Sequence, residues 1–394
     1  MENYSVYIHI PFCKRRCGYC DFNTYAGIEY LIPDYVKAIC KEIEFLTSSS
    51  SKRLPIHTLY FGGGTPSLLT GSQMETIFRA IEKYFIIEGS IEITLEANPG
   101  TISLESLRYL HGLGINRLSL GMQSAVKKDL HLLGREHDPS EVVRAVQWAR
   151  KAGFDNVNLD LIYGVPSQTI EDWIQTLSTT ISLEADHLSL YCLSVETDTL
   201  LDRWIKRGLV SIPDPDLSAD MYEWAEDFLD RSGFQHYEIS NWAKKNNNGT
   251  TLICKHNLQY WRNLSYFGIG AGAHGYVDHY RTENVAYPNL YIQRCFDGIT
   301  EKFPRTPATF KLTSIDKNAE IGETLMMGLR LVQEGVSAKN YYLRFGENLT
   351  DRFGQEIDYL IGNGLLEWGG ENHENLRLTP RGRLLGNQVF MAFL

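Results

Sequence analysis

The chain has 394 residues, of which 43% are hydrophobic, and a formal net charge of −10 at pH 7. This length and composition are typical of a globular protein with one large domain or two to three ordinary domains. The negative charge argues against a nucleic-acid-binding protein, and no apolar run approaches the ~20 residues that span a bilayer. The N-terminal stretch MENYSVYIHI leads straight into a strand pattern, so we expect no signal peptide and a cytoplasmic protein.

Residues 1–245 alternate between short β-rich runs and stretches with helical periodicity. The β-rich runs are SVYIHI, HTLYF, IEITLEAN, INRLSLGM, VNLDLIYG and HLSLYCLSV. This alternation predicts an α/β fold of six βα units around a parallel sheet. Six units are too few for a closed eight-stranded barrel, so we predict a partial (β/α)6 TIM-like barrel.

The rest of the chain changes character after the polar, turn-rich stretch KKNNNGT, residues 244–250. We predict a barrel domain over 1–245, a connecting segment over 246–310 and a small C-terminal domain over 311–394. The helices and strands of this last domain follow one another in an order that resembles a winged helix. Because the segment is not strongly basic, we expect a lid or docking module rather than a DNA-binding domain.

Three cysteines lie in one short loop, Cys13, Cys17 and Cys20, with the spacing C-x3-C-x2-C. A structural zinc site normally takes four ligands, and an ordinary [4Fe–4S] cluster takes four cysteines. Three thiolates therefore indicate a cluster with one iron left open for a ligand that is not protein. A zinc site with a distant fourth ligand, or a chance grouping, is the alternative.

The other four cysteines are scattered, which does not indicate a disulfide framework in a cytoplasmic protein. We expect Cys40, Cys192, Cys254 and Cys295 to be small buried or half-buried hydrophobic residues. Cys254 lies two residues before His256, but we favour a structural role for it over a ligand role.

The cysteine loop resembles the signature of the radical S-adenosylmethionine (SAM) superfamily, in which the amino and carboxylate groups of SAM chelate the open iron. The second predicted strand ends in GGGTPS, which is neither a phosphate-binding P-loop nor a dinucleotide-binding turn. Beside the cysteine loop it resembles the glycine motif of this superfamily, which contacts the SAM amino group. The resemblance implies that Gly63, Gly64 and Thr65 contact SAM.

Further polar or aromatic residues fall in or near the carboxyl ends of successive predicted strands, where barrels of this type gather their chemistry. These candidates for SAM binding are Tyr7, Tyr19, Glu96, Gln123, Arg135 and Asp160.

Each of these residues suits a different part of SAM. The Tyr19 ring can pack on the adenine, Glu96 can bind a ribose hydroxyl or an ammonium group, and Arg135 can pair with the carboxylate. Asp160 lies inside an apolar strand and needs a partner. The alternatives are that Tyr7 is core packing, that Glu96 is a solvated acid, and that Arg135 forms a surface pair with a neighbouring acid.

Six motifs narrow the choice of family within this superfamily. YIHIPFCKRRCGYCDFN, GGGTPS, LEANP, GMQS, LLGREH and DLIYGVPSQT follow one another in this order. They resemble the group that contains oxygen-independent coproporphyrinogen III oxidase and the HemW-type haem chaperones. The oxidase has a further cysteine where this chain has Phe22, and the chaperones have an H-N-x-x-Y-W motif, which reads HNLQYW here. Both features indicate the HemW type.

The resemblance implies a protein that binds a [4Fe–4S] cluster, SAM and haem and delivers haem to acceptor haemoproteins. Histidine is a common axial ligand of haem iron, which makes His256 the first candidate. Asn257 could orient its imidazole, and Tyr260 and Trp261 offer flat faces to a porphyrin. His274, in GIGAGAHG, is a second candidate ligand, and the alternative for HNLQYW is a packed corner of a loop.

The family also implies dimerisation and a loose membrane association, neither of which is visible in this sequence, and no nucleic-acid partner. Three rival functions stay open. The first is oxidative decarboxylation of coproporphyrinogen III, the second a different radical SAM reaction with incidental haem binding, and the third a zinc-binding structural protein.

Overall fold

The computed structural model describes residues 3–50, 53–299, 301–370 and 372–394, with the backbone alone for Glu88. Residues 1 and 2, at the N-terminus where we expect no signal peptide, lie outside these ranges. The chain divides into two compact units, one formed by 1–227 and 265–313 and the other by 228–264 and 314–394. The predicted domain limits at residues 245 and 310 stay a prediction.

The strands of the described residues, in chain order, are β1 Tyr4–Ile10, β2 Phe12–Cys13, β3 Tyr25–Ala26, β4 Leu54–Gly63, β5 Phe85–Ala97, β6 Arg117–Gln123, β7 Val157–Tyr163, β8 His187–Cys192, β9 Gln235–Glu238, β10 Asn241–Ala243, β11 Tyr266–Ile269, β12 His274–Val277, β13 Tyr280–Asn284, β14 Thr309–Ser314, β15 Val336–Ser337, β16 Leu366–Gly369 and β17 Asn375–Leu378.

The α-helices of the described residues are α1 Ile32–Ser48, α2 Gly71–Tyr84, α3 Leu104–Gly112, α4 Lys127–Leu133, α5 Pro139–Ala152, α6 Ile170–Ser182, α7 Leu200–Lys206, α8 Pro215–Arg231, α9 Lys255–Trp261, α10 Pro288–Asp297, α11 Lys317–Gly328, α12 Ala338–Phe345, α13 Leu349–Gly362, α14 Pro380–Leu384 and α15 Gly386–Met391. Short 3-10 turns cover Glu29–Leu31, Pro66–Leu68 and Pro99–Thr101.

Six parallel strands form the centre of the first unit. They lie in the order β1-β4-β5-β6-β7-β8, with parallel pairing between each neighbouring pair. Every residue of β6 is buried, and in β7 only Asp160 is partly exposed. Such continuous burial is typical of parallel strands covered on both faces. The predicted partial barrel of six βα units is confirmed.

The sheet of the first unit continues beyond β1. β11 pairs with β1 in parallel, β12 and β13 follow in antiparallel pairing, and β14 lies next to β13. Our sequence analysis assigned most of this stretch to a connecting segment and predicted no strand in it. As a result β1, which precedes the cysteine loop, is an interior strand with a neighbour on each side.

Local sequence explains where the connecting helices begin and end. At the start of α5, the Asp138 carboxylate accepts a hydrogen bond from Ser140 N at 3.0 Å, and Glu141 accepts one from Asp138 N at 2.8 Å. This is a capping box, with Pro139 at the first helical position. The helix ends at Gly153, whose φ of 103° few other residues adopt.

The second unit contains the β9–β10 hairpin, α9 and the C-terminal helices and strands. The three strands β15, β17 and β16 form a small antiparallel sheet, and α11, α12, α13 and α15 contribute to a shared apolar core. The order of helices and strands in 314–394 is that of the predicted winged-helix-like domain. Among the described residues, no helix combines the length and the apolar character needed to cross a membrane.

A buried carboxylate joins α1 to the strands beyond β1. Glu42 is 1% exposed, and its two oxygens accept hydrogen bonds from Gly270 N at 2.8 Å, Asn284 Nδ2 at 2.7 Å, Tyr291 OH at 2.7 Å and Thr306 Oγ1 at 3.0 Å. Burial raises the pKa of Glu42. Removing a buried acceptor shared by four donors lowers the stability of the fold strongly, because every donor then loses its partner.

We expect Glu42→Ala to lower the free energy of unfolding by about 3–5 kcal/mol, the range for breaking a buried polar network. Urea unfolding followed by circular dichroism measures the change. Glu44→Ala is the matched control, since Glu44 is exposed on the same helix and its loss is expected to cost about 0.5 kcal/mol or less. Equal stability of the two variants would contradict a stabilising role for the Glu42 network.

Candidate functional site

The cysteine loop follows β1 directly. Cys13 ends the short strand β2, which pairs with β3, and Cys20 N donates a hydrogen bond to Cys17 O at 3.3 Å. Cys13 is buried, Cys17 and Cys20 are half-buried, and all three are free thiols. The basic residues 14–16 between them are exposed. The loop thus presents three thiols on its inner side and three cations to solvent.

Each of the three sulfurs has a hydrogen-bonding side chain beside it. Cys13 Sγ lies 3.7 Å from Thr65 Oγ1, Cys17 Sγ lies 3.5 Å from Arg135 Nη1, and Cys20 Sγ lies 3.7 Å from Thr24 Oγ1. Burial raises the pKa of the Cys13 thiol, and the neighbouring Cys20 and Cys17 raise it further.

No three His, Cys, Asp or Glu side chains among the described residues converge as they would around a single metal ion. A [4Fe–4S] cluster does not require such convergence, because each cysteine binds a different iron. The ligand types and the donors around them therefore fit an iron–sulfur cluster.

The glycine turn at the end of β4 packs directly against the cysteine loop. A Cβ on Gly64 would lie 2.9 Å from Cys13 Sγ and 2.7 Å from Phe12 O, and one on Gly63 would lie 2.6 Å from the His9 ring. Gly63 also has a φ of 117°. Glycine is required at both positions, and its absence of a side chain leaves backbone groups next to Cys13.

Glu96 lies beside this turn. Its carboxylate accepts hydrogen bonds from Gly63 N at 3.0 Å and from Tyr60 OH at 2.8 Å. Burial raises the pKa of Glu96 to about 7, and the charge of Asp160 contributes to the rise. Glu96 is therefore not a freely solvated acid but a half-buried one, at the point where glycine turn and sheet meet.

Tyr7 and His9 project from β1 next to the same turn. The Tyr7 hydroxyl lies 2.9 Å from His9 Nδ1, and His9 Nε2 lies 2.9 Å from Asn23 O in the cysteine loop. Burial lowers the pKa of His9 and raises that of Tyr7. Tyr7 is only half-buried and belongs to a polar network, which distinguishes it from simple core packing.

Gln123 and Arg135 lie together at the end of β6. A Cβ on Gly121 would meet Gln123 Nε2 at 2.8 Å and Arg135 Nη2 at 3.0 Å. Arg135 donates to Gly121 O at 3.1 Å and to Asn98 Oδ1 as well as to Cys17. The surface pair considered for Arg135 is not the arrangement found, since Asp138 pairs with Lys127 at 2.7 Å instead.

Asp160 has the partners that its position in β7 requires. Ser119 Oγ donates to Asp160 Oδ2 at 2.9 Å, and Asn158 Nδ2 donates to Oδ1 at 2.8 Å. Burial raises the pKa of Asp160. The tyrosine between the cysteines, Tyr19, packs on the apolar cluster around Leu133 and Leu201, and burial raises its pKa.

Several residues of the site were not predicted from the sequence, among them His9, Thr24, Tyr60 and Asn98. Asn98 follows the end of β5 within the LEANPG stretch, so its position at the carboxyl end of a strand was a usable signal. Thr24 and Tyr60 carried no such signal, since a threonine in a loop and a tyrosine in a strand are common in any fold. One expectation was wrong: Cys192 is exposed, because β8 runs out of the core at its last two residues.

The HNLQYW motif forms the short helix α9 in the second unit. His256 is 1% exposed, and its Nε2 lies 2.9 Å from the Tyr260 hydroxyl, with the two rings at 90°. The Arg330 guanidinium lies 4.7 Å from the centre of the Trp261 ring. The structure thus brings His256, Tyr260 and Trp261 into one small packed region, and Asn257 is half-buried on the same helix.

The remaining candidates lie in the first unit or are structural. His274 is exposed at the start of β12, close enough to His9 to lower the pKa of that residue. Cys254 is buried at the start of α9. Phe22, which follows the cysteine loop, is 65% exposed.

Two family profiles match the chain. One, described as the Radical SAM superfamily, matches residues 7–179, and the other, the HemN C-terminal domain, matches residues 315–385. The first match contains the cysteine loop, the glycine turn and every predicted SAM-binding residue. The second lies within the winged-helix-like part of the second unit.

Curated relatives match over the full length. The "Heme chaperone HemW" of Bacillus subtilis is 37% identical, with 99% of each chain covered. The protein of the same name from Escherichia coli is 38% identical, with 99% of this chain and 98% of the relative covered. A Mycobacterium tuberculosis "Heme chaperone HemW" is 35% identical, over 100% of this chain and 95% of the relative.

A solved structure shares the fold. Coproporphyrinogen III oxidase (HemN) from Escherichia coli, described as a radical SAM enzyme, superposes with a TM-score of 0.82 at 24% sequence identity. The match covers 100% of this chain and 90% of that protein. Together with the Radical SAM match over residues 7–179, this shared fold confirms the radical SAM type of the partial barrel.

We expect the raised pKa of Glu96 to make stability depend on pH. The pKa of the Glu96 carboxyl is about 7 in the folded chain, whereas the ordinary value for a glutamate is 4.5. The folded state then binds the proton more tightly, so the free energy of unfolding should fall as pH rises from about 4.5 to about 7. Glu96→Gln should remove up to about 3 kcal/mol of this fall.

Chemical unfolding at several pH values measures the effect. Glu82→Gln, at an exposed position on α2, is the control for replacing a glutamate by glutamine. An identical pH dependence in wild type and Glu96→Gln would show that the Glu96 carboxyl is ionised as readily in the folded chain as in the unfolded one.

Proposed function

The chain belongs to the HemW family of radical SAM proteins, and from this premise we propose that it binds a [4Fe–4S] cluster, SAM and haem and delivers haem to acceptor haemoproteins. The single observation that carries the cluster and SAM part is the contact between the Cys13 thiol and the side-chain-free backbone at Gly64. Full-length similarity to proteins named heme chaperone supports the haem part.

Three cysteines would hold the cluster: Cys13, Cys17 and Cys20. A cluster bound by three thiolates supplies an open iron and a one-electron redox centre. Thr65, Thr24 and Arg135 would then donate hydrogen bonds to the thiolates at the distances already described. Such bonds orient ligands and stabilise negative charge on sulfur.

The residues around the cluster suit SAM. The backbone of the glycine turn lies next to Cys13, where the ligand of the cluster would bind, and Glu96 and Asp160 supply carboxylates. SAM carries an ammonium and a sulfonium group, so two acids near enough to influence each other's ionisation match its charge. Tyr7, Tyr19, Gln123 and Arg135 complete the proposed contacts.

For haem we propose His256 as axial ligand, with Asn257, Tyr260 and Trp261 around it. His256 is buried and its Nε2 is engaged by the Tyr260 hydroxyl, so ligation through Nε2 requires that hydrogen bond to break. An engaged ligand favours reversible binding, which a carrier that must release haem needs.

The rival function is oxidative decarboxylation of coproporphyrinogen III, which the set of SAM contacts favours. Phe22 in place of a further cysteine and the HNLQYW motif count against it. Dimerisation and membrane association, which the resemblance implied, are not supported by the comparisons and form no part of the proposal.

Replacing any one of the three loop cysteines by alanine is expected to abolish cluster binding, because no other thiol of the described chain lies in this loop. The measurement is iron and sulfide content after anaerobic reconstitution, together with broad absorption near ~400 nm that is typical of such clusters. Cys40→Ala, at a half-buried cysteine outside the loop, is the control and should bind a full cluster.

Zinc without iron in the purified wild type would favour the zinc-binding rival. Conversion of coproporphyrinogen III to protoporphyrinogen IX by the reconstituted protein, given SAM and a reductant, would overturn the chaperone proposal in favour of the oxidase. If neither occurs, transfer of bound haem to an apo-haemoprotein, followed by the shift of the Soret band, tests delivery directly.

We expect His256→Ala to lose most of its haem affinity, and Tyr260→Phe to bind haem about fivefold more tightly. The second expectation follows because the phenylalanine removes a competing hydrogen bond of about 1 kcal/mol. Haem titration followed in the Soret band measures both. His373→Ala, at an exposed histidine in the same unit, is the control. Unchanged affinity and Soret maximum in His256→Ala would remove this residue from the haem site.

A further inference from the structure

Two of the three cysteine sulfurs are linked through one amide. Asn98 Nδ2 donates to Thr65 Oγ1 at 3.0 Å, and Asn98 Oδ1 accepts from Arg135 Nη2. Thr65 and Arg135 are in turn the side chains beside Cys13 and Cys17, at 3.7 and 3.5 Å. One continuous chain of hydrogen bonds therefore runs from Cys13 through Thr65, Asn98 and Arg135 to Cys17.

The direction of each bond in this chain is fixed by chemistry. A hydroxyl has one proton, so when Thr65 accepts from Asn98 its own proton is left for Cys13 Sγ. Arg135 has only donors, so the amide must present its oxygen to Arg135 and its NH2 group to Thr65. Asn98 thus orients both donors toward sulfur.

An asparagine is the side chain of this size that can do both. An aspartate at the same position has only acceptor oxygens when ionised. Its carboxylate would still accept from Arg135, but it would also attract the Thr65 proton away from Cys13. The Thr65 side chain is 3% exposed, so water cannot easily replace a partner that is lost there.

We propose that Asn98 is a positioning residue that holds two hydrogen-bond donors on the cluster cysteines and thereby raises the reduction potential of the bound cluster. The inference rests on the [4Fe–4S] part of the proposed function. Reduction adds negative charge to the cluster, and donors to its sulfurs stabilise that charge. Removing a donor therefore makes the cluster harder to reduce.

The test is a redox titration of the anaerobically reconstituted protein without SAM, followed by electron paramagnetic resonance. We expect Asn98→Asp and Thr65→Val each to lower the ratio of reduced to oxidised cluster at a fixed potential about tenfold, which is a shift of about 59 mV. Thr65→Ser retains the hydroxyl and should retain the wild-type potential.

Asn116→Asp is the matched control. Asn116 precedes β6 at the opposite end from Gln123, and its side chain bonds the backbone, to Ile93 N at 2.9 Å and Ile91 O at 2.8 Å. The same change of amide to carboxylate at this position should leave the potential unaltered. A shift as large as that of Asn98→Asp would show that added charge alone is responsible and would overturn the inference.

A wild-type potential in Asn98→Asp with full iron and sulfide content would also overturn it. If that variant fails to retain a cluster, Thr65→Val and Thr65→Ser decide, and equal potentials for these two contradict the inference. A wild-type protein that takes up no iron and sulfide contradicts the proposed function itself, which separates the two failures.

Discussion

The candidate site depends on how closely the backbone of β4 approaches the loop that follows β1. Parallel pairing of these strands sets His9 opposite Gly62 and Ile10 opposite Gly63, and Gly64 N donates to Ile10 O at 2.8 Å. This register brings the glycine turn under Cys13, where a side chain on Gly64 would collide with the sulfur. A shift of the pairing by one residue would place the opposite faces of β1 against the turn. The β1–β4 register is thus the constraint on which the cysteines, the glycines and Glu96 all depend.

Much of the first unit was predictable because its signals are local. The six central strands are apolar runs separated by helical periods, and polar residues at the carboxyl ends of parallel strands meet at one edge. The strands beyond β1 were not predictable, because β11, β12 and β13 have four or five residues each and several are polar or glycine. Their stability comes from pairing with β1 and from Glu42, which are contacts between distant parts of the chain. Asn98 has a local signal in its position after β5, but its bonds to Thr65 and Arg135 join distant parts of the chain and could not be predicted.

The HNLQYW motif shows a different limit of prediction from sequence. Sequence identifies a histidine and two aromatic residues with the chemistry to hold a porphyrin, but not whether the imidazole is available. In the folded chain His256 is packed and bonded to Tyr260 within its own short helix, and Trp261 is covered by Arg330 on one face. The residues proposed for haem belong to the second unit, whereas the cysteines and the SAM candidates belong to the first.

Charge complementarity indicates which ligand suits the first unit. Glu96 and Asp160 each have a raised pKa because burial penalises their ionised forms, and the charge of Asp160 adds to the effect on Glu96. Hydrogen bonds from Tyr60, Gly63, Ser119 and Asn158 offset only part of that cost. A ligand that brings positive charge close to these two acids would relieve the rest, since an opposite charge nearby favours ionisation. SAM, with its ammonium and sulfonium groups, is such a ligand, whereas the carboxylates of a porphyrin are not. The electrostatics of the barrel therefore favour SAM over haem for this part of the chain.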